Sequence, residues 1–258
     1  MSPRDRISTV IRSASSGGEP ALVGFLTAGH PRKESFRDIV RSVAAGADVV
    51  EIGVPFTDPM ADGVTIQRSS HTALTQGVTL RWILEELTAM PKVEAPLLLM
   101  SYLNPLLAFG LDKLAAVAAR ANVSGFIVPD LPFDESDDLQ SALNPEGLAL
   151  VQMVTPVTEP KRLEQVCESS QGFVYAVTMT GTTGKSVSVP DDVLAYLDRV
   201  RATSKLPVCA GFGIRSREQV QRLSGHVDGV VVGSALVEVL ERNEDAAAWL
   251  ATLRRGAR

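Results

Sequence analysis

An α/β fold, a closed barrel of eight parallel strands ringed by helices, is what this sequence predicts. Three observations predict it. Short apolar or β-branched runs recur eight times, and each is followed by an amphipathic stretch. Strict alternation of this kind marks parallel strands joined by crossover helices. The chain has 258 residues, 45% hydrophobic and 21% charged, which matches the length and composition of one barrel. No linker, composition shift or low-complexity tract divides it. Residues 1–258 are therefore expected to form a single (β/α)8 (TIM) barrel domain with extra N- and C-terminal helices.

The elements follow in order. The expected strands are 21–26, 48–52, 96–100, 125–128, 149–154, 173–177, 207–210 and 229–232, each too short and too apolar for an exposed helix. The expected amphipathic helices are 34–45, 80–90, 111–121, 135–143, 159–168, 191–203, 216–223 and 235–241. Two further helical pieces, 4–13 and 245–253, cap the ends. In such a barrel, function sits in the loops that follow the strands. The longest and least regular of these are 53–63 and 178–190. The second, rich in Gly and Thr, reads as a lid that orders on a ligand.

The net charge of −5 gives no global support to a nucleic-acid or anionic-membrane partner. A phosphorylated small molecule stays open, because backbone amides and helix N-termini bind phosphate locally. Cys167 and Cys209 show no metal-ligand spacing and suit a reducing, cytoplasmic setting. The segment after Met1 has no apolar core, so no signal peptide is expected, and no run reaches the length of a membrane span. His30, His71 and His226 are scattered, and no metal is assigned.

The run Val49-Val50-Glu51-Ile52-Gly53 carries the chemistry. A buried strand rarely holds a Glu without a partner or a task. Val49 and Glu51 share one face, Val50 and Ile52 the other. If the first face is the barrel interior, Glu51 stands at the mouth, where apolar neighbours raise its pKa and suit it to give and take a proton. A structural Glu paired with a base or backbone is the alternative. Asp58 and Asp62 lie in the next loop, where turn formation or capping of the following helix is the simpler role. Glu51 and Asp62 in unlike surroundings nevertheless form a natural acid–base pair.

Glycines after the last two strands, in Gly211-Phe212-Gly213-Ile214 and Val232-Gly233-Ser234, let backbone amides approach a phosphate, with Gly184 as a possible third. Asp130 ends the fourth strand and faces the site or caps the next helix. Phe25, Leu99, Tyr102 and Leu103 read as packing or pocket wall. Tyr175 points inward or belongs to the core.

Four strings then look familiar together: Phe25-Leu26-Thr27-Ala28-Gly29-His30-Pro31, Glu51 through Gly63, Gly181-Thr182-Thr183-Gly184 and Gly211-Phe212-Gly213-Ile214. In that order, over 22–241, they closely resemble the tryptophan synthase α subunit family. The resemblance implies a lyase that splits indole-3-glycerol phosphate into indole and glyceraldehyde 3-phosphate. It implies no cofactor in this subunit, with pyridoxal phosphate in a β partner and an α2β2 tetramer. Glu51 and Asp62 match the catalytic acids, Phe25 a wall of the indole pocket, and Tyr175 an active-site tyrosine. Thr183 matches the lid residue that meets the catalytic Asp. Gly184, Gly213, Gly233 and Ser234 match the phosphate site. Asp58 and Asp130 match positions at or near the β-subunit contact. Met179 stands where some members carry a basic lid residue. A stand-alone lyase, a phosphate-binding regulatory barrel and an unrelated phosphate-handling barrel are the competing readings.

Overall fold

The computed structural model describes residues 1–178, 189–211 and 213–254. Strands β1 (Ala21–Thr27), β2 (Val49–Gly53), β3 (Leu97–Met100), β4 (Val123–Ile127), β5 (Ala149–Val154), β6 (Val174–Val177), β7 (Val208–Gly211) and β8 (Gly229–Val232) pair in sequence order. All pairings are parallel, and β8 closes on β1, so the expected barrel is formed. Phe25 lies level with Glu51, and Glu51 with Leu98, so one interior layer is set by register alone.

The alternation read from the sequence separates the two faces of the barrel wall. Val23, Val49, Leu98, Ile127, Val151, Phe173, Tyr175, Cys209 and Val231 fill the interior. Leu22, Leu26, Val50, Ile52, Leu99 and Val232 turn outward into the layer beneath the helices. That outer layer is built from spaced apolar residues. Helix α2 (Phe36–Gly46) buries Phe36, Val40 and Val43. Beyond α3 (Val64–Thr75), helix α4 (Leu80–Ala89) buries Leu80, Ile83, Leu84 and Leu87, and the Thr79 side chain caps it by accepting from the Trp82 amide at 3.2 Å.

The remaining outer helices are α5 (Leu103–Phe109), α6 (Leu111–Arg120), α7 (Asp137–Leu143), α8 (Pro160–Ser169), α9 (Asp191–Thr203), α10 (Arg217–Leu223), α11 (Ser234–Glu241) and α12 (Ala246–Thr252). The two terminal helices differ in what they do. Helix α1 (Pro3–Ser15) closes the end of the barrel opposite the strand C-termini. Its Ile7 and Ile11 are fully buried against the interior cluster, and a Ser2–Asp5 capping box starts it. Burying two such side chains contributes roughly 3–6 kcal/mol. Helix α12 instead lies on the outside against α2 and α11.

Two helices have no counterpart among those expected from periodicity. Helix α3 buries Ser69, Ser70 and Ala73, small and mostly polar residues that leave no apolar stripe in the sequence. Helix α5 has seven residues and buries Leu106 alone. Strand β4 also begins two residues earlier than expected. A register irregularity between Leu97 and Leu98 lets Val123 pair ahead of Gly125, in a stretch that reads as a turn.

Candidate active site

Glu51 lies on the interior face, near the carboxyl end of β2, and is 1% exposed. Its Oε2 has no hydrogen-bond partner among the described residues. Burial, reinforced by the negative charge of Asp62, raises its pKa to about 8. The carboxyl therefore holds its proton at neutral pH. Gly53 is on the same face two residues on. A Cβ there would sit 2.6 Å from Phe25 Cζ, so this glycine is what lets the Phe25 ring lie beside Glu51.

Asp62 is carried by the loop between β2 and α3. It does not cap α3: Gly63 is the N-cap residue and makes no side-chain cap bond. This corrects the capping role read from the sequence. Burial raises its pKa to about 6, and a hydrogen bond with Tyr102 works in the opposite direction. The two acids thus titrate apart, one mainly protonated and the other mainly ionised at pH 7, the arrangement general acid–base chemistry requires.

Tyr102, read from the sequence as packing, turns out to hold this loop. Its hydroxyl accepts the Ala61 amide at 2.9 Å and bonds Asp62, and its ring stacks on Phe56 with centroids 5.0 Å apart. Asp130 explains how Tyr102 is held. Its Oδ1 accepts the Leu103 amide at 2.9 Å, fixing the first residue of α5 next to Tyr102. Asp130 is not the N-cap of a helix after β4, where Pro132 and Ser136 hold those positions; it ties the loop after β4 to the loop after β3. The visible signal was the position of Tyr102, two residues beyond a barrel strand. Asp58 is exposed, and its Oδ2 accepts the Thr57 hydroxyl at 2.5 Å.

Tyr175 is on the interior face of β6, 9% exposed. Burial and the charge of Glu51 hold its pKa well above the usual tyrosine range, so it remains a neutral donor. A Cβ on Gly211 would come within 2.7 Å of the Tyr175 hydroxyl, so that glycine makes room for it.

At the far side, Gly213 has a left-handed φ of 65° and open space around its Cα, a conformation suited to glycine. Gly233 precedes α11, which opens with Ser234, and both residues are part-exposed at the mouth. The first-turn amides of a helix have no carbonyl partner within it and attract an anion. Arg215 forks onto Glu238 of α11 at 2.7 and 2.9 Å, joining the loop after β7 to this helix. Phe25 Cβ is 4.0 Å from where a Gly233 Cβ would lie, so the apolar wall adjoins the glycine cradle. Thr183, Gly184, Met179 and Phe212, and with them the core of the lid, lie outside the described residues. Among the described residues no group of three or more His, Cys, Asp or Glu is placed to hold a metal ion.

Comparison with known proteins agrees with this geometry. The family profile described as "Tryptophan synthase alpha chain" matches residues 11–255. The chain is 43% identical over 247 residues to the tryptophan synthase alpha chain of Nitratidesulfovibrio vulgaris (strain DP4), covering 95% of this chain and 96% of the relative. It is 44% identical over 250 residues to that of Solidesulfovibrio magneticus, covering 96% and 98%. Among solved structures, Mycobacterium tuberculosis tryptophan synthase superposes with a TM-score of 0.89 at 35% identity, covering 98% of each chain. Tryptophan synthase subunit alpha from Legionella pneumophila superposes with a TM-score of 0.86 at 30% identity, covering 97% of each. The chain belongs to the tryptophan synthase alpha chain family.

Proposed function

We propose that this chain cleaves indole-3-glycerol phosphate to indole and glyceraldehyde 3-phosphate, with Glu51 and Asp62 as its catalytic acids. The observation that carries the reading is a carboxyl buried at the barrel mouth with a pKa of about 8, beside a second one near 6. Glu51 gives its proton to indole C3. The ring becomes an indoleninium, and Asp62 accepts the ring N–H and stabilises the positive charge there. Glu51, now ionised, takes the proton of the adjacent glycerol hydroxyl. The C3–C1′ bond breaks, its electron pair restores the indole, the hydroxyl carbon becomes the aldehyde, and Glu51 is protonated again.

Phe25 and Tyr175 wall the indole. Gly213, Gly233 and Ser234, with Gly184, hold the phosphate and so orient the non-reacting end. Thr183, outside the described residues, keeps the role the family resemblance gives it, a partner for Asp62. Proton transfers drive the carbon–carbon cleavage, and this chain uses no cofactor.

Indole then passes to a β subunit that carries pyridoxal phosphate, in an α2β2 assembly. Met60, Leu107 and Val157 are exposed apolar residues in segments that follow β2, β3 and β5, which supports a partner seated over the barrel mouth. Asp58 and Asp130 carry the signal between the two sites, and Asp130 reaches Asp62 through Leu103 and Tyr102. The buried free thiols of Cys167 and Cys209 suit the cytoplasm. No helix among the described residues is long and apolar enough to cross a membrane.

The test is to incubate the purified protein with indole-3-glycerol phosphate, with and without a β subunit, and to measure indole. Indole in equal amount to glyceraldehyde 3-phosphate is expected in both arms, faster with the partner. No indole in either arm would overturn the reading, and full turnover unaffected by the partner would favour a stand-alone lyase.

A further inference from the structure

Behind the mouth, three segments that follow different strands meet on one carboxylate. Glu241 ends α11, the helix that opens at the glycine cradle. Arg68 of α3 forks onto it: Nη2 lies 2.7 Å from Oε2 and 3.0 Å from Oε1, and Nε lies 3.2 Å from Oε1. His30, from the loop after β1, places Nε2 3.2 Å from the same Oε1. His30 is 5% exposed. Burial lowers its pKa, so the ring is neutral at pH 7 and Nε2–H donates.

These contacts run directly into the catalytic loop. Gln67, the residue before Arg68, donates from Nε2 to the Asp62 carbonyl at 2.8 Å, and its own amide bonds the Gly63 carbonyl at 2.9 Å. Ser69, the residue after, shares a buried 2.6 Å hydrogen bond with Thr27 at the end of β1. Residues 67–69 therefore grip Asp62, Glu241 and β1 in succession. At the other end of the junction, α11 is pinned by Arg215 on Glu238, one turn before Glu241. An exposed ion pair by itself contributes little to stability. A bidentate fork and a buried imidazole on one carboxylate fix an orientation instead.

We infer that Glu241 is a positioning residue, held by Arg68 and His30, that fixes the Asp62 loop in register with the helix whose N-terminus receives the substrate phosphate. The inference rests on the proposed reading of that cradle. It adds a route by which an occupied cradle orders an acid on a different strand's loop, without a contact between Glu241 and the substrate.

The experiment compares wild type with Glu241→Ala, and with Arg68→Lys, which keeps the charge but loses the fork. In the first measurement, amide hydrogen exchange is followed across 61–67 as glyceraldehyde 3-phosphate is added. In wild type the ligand is expected to slow exchange there. In both variants the protection is lost, and affinity falls by no more than the factor by which the ligand slowed exchange in wild type, as linkage requires. In the second measurement, kcat is expected to fall about tenfold on indole-3-glycerol phosphate with KM little changed, and to stay near wild type on indole-3-glycerol, which lacks the phosphate. Retained protection in the variants, absent protection in wild type, or an equal fall on both substrates would overturn the inference. A wild type that makes no indole would count against the proposed activity alone, because the exchange measurement needs no turnover.

Discussion

The backbone amide of Ala61 donates to the Tyr102 hydroxyl at 2.9 Å. One tyrosine from the loop after β3 thereby holds the loop that carries Asp62, and it bonds the Asp62 carboxyl as well. Asp62 lies in the loop between β2 and α3, where no strand pairing fixes it. Together with the Gln67 bond to the Asp62 carbonyl, the contact sets where the second acid stands, and it favours the ionised form against the effect of burial.

The two acids define a pH window. With Glu51 near 8 and Asp62 near 6, the productive form has Glu51 protonated and Asp62 ionised. A plot of log kcat/KM against pH is expected to be bell-shaped, with limbs near these values belonging to the coupled pair. A flat profile from pH 5 to 9 would contradict the assignment.

Tyr102→Phe removes a hydrogen bond that favours the ionised form of Asp62. The acid limb of the same profile is then expected to move to higher pH, and kcat to fall as the loop loses its anchor at Ala61. An unchanged acid limb with lowered activity would leave Tyr102 a packing residue, as its sequence context suggested.

Glu51 should also cost stability in a pH-dependent way. An unfolded glutamate ionises near 4.5, whereas the folded site holds its proton up to about 8. Below 4.5 both states are protonated and no cost arises. Between 4.5 and 8 only the unfolded chain releases its proton, so stability falls as pH rises, and above 8 the loss is constant. Glu51→Gln cannot ionise and escapes this. Its stabilisation is expected to be small at pH 5 and to reach on the order of 4–5 kcal/mol at pH 8.5, or roughly ten degrees in Tm. Thermal melts at the two pH values check it; a pH-independent difference would contradict it.

The barrel was legible because parity and periodicity are local properties. Val49 and Glu51 share a face whatever surrounds them, and Phe36, Val40 and Val43 mark a helix by spacing alone. Helix α3 was not legible as a helix of its own, because its buried face is Ser69, Ser70 and Ala73, chosen to fit against β1 rather than to exclude water. The site divided in the same way. Glu51 and the glycines stood out as residues unusual for their strands and turns. Tyr102, Gln67, Arg68 and Glu241 are ordinary where they stand, and they acquire meaning only through partners distant in sequence. Asp62 lay between: its chemistry was available from its type, but Asp-Gly reads equally well as a turn.

The central claim is that Glu51 delivers the proton that starts cleavage. The direct measurement is indole formation by Glu51→Gln, with glyceraldehyde 3-phosphate affinity measured on the same preparation. Turnover is expected to fall by about 10²–10⁴ while affinity stays within about twofold. Turnover within about tenfold of wild type, with affinity intact, would remove Glu51 from the mechanism.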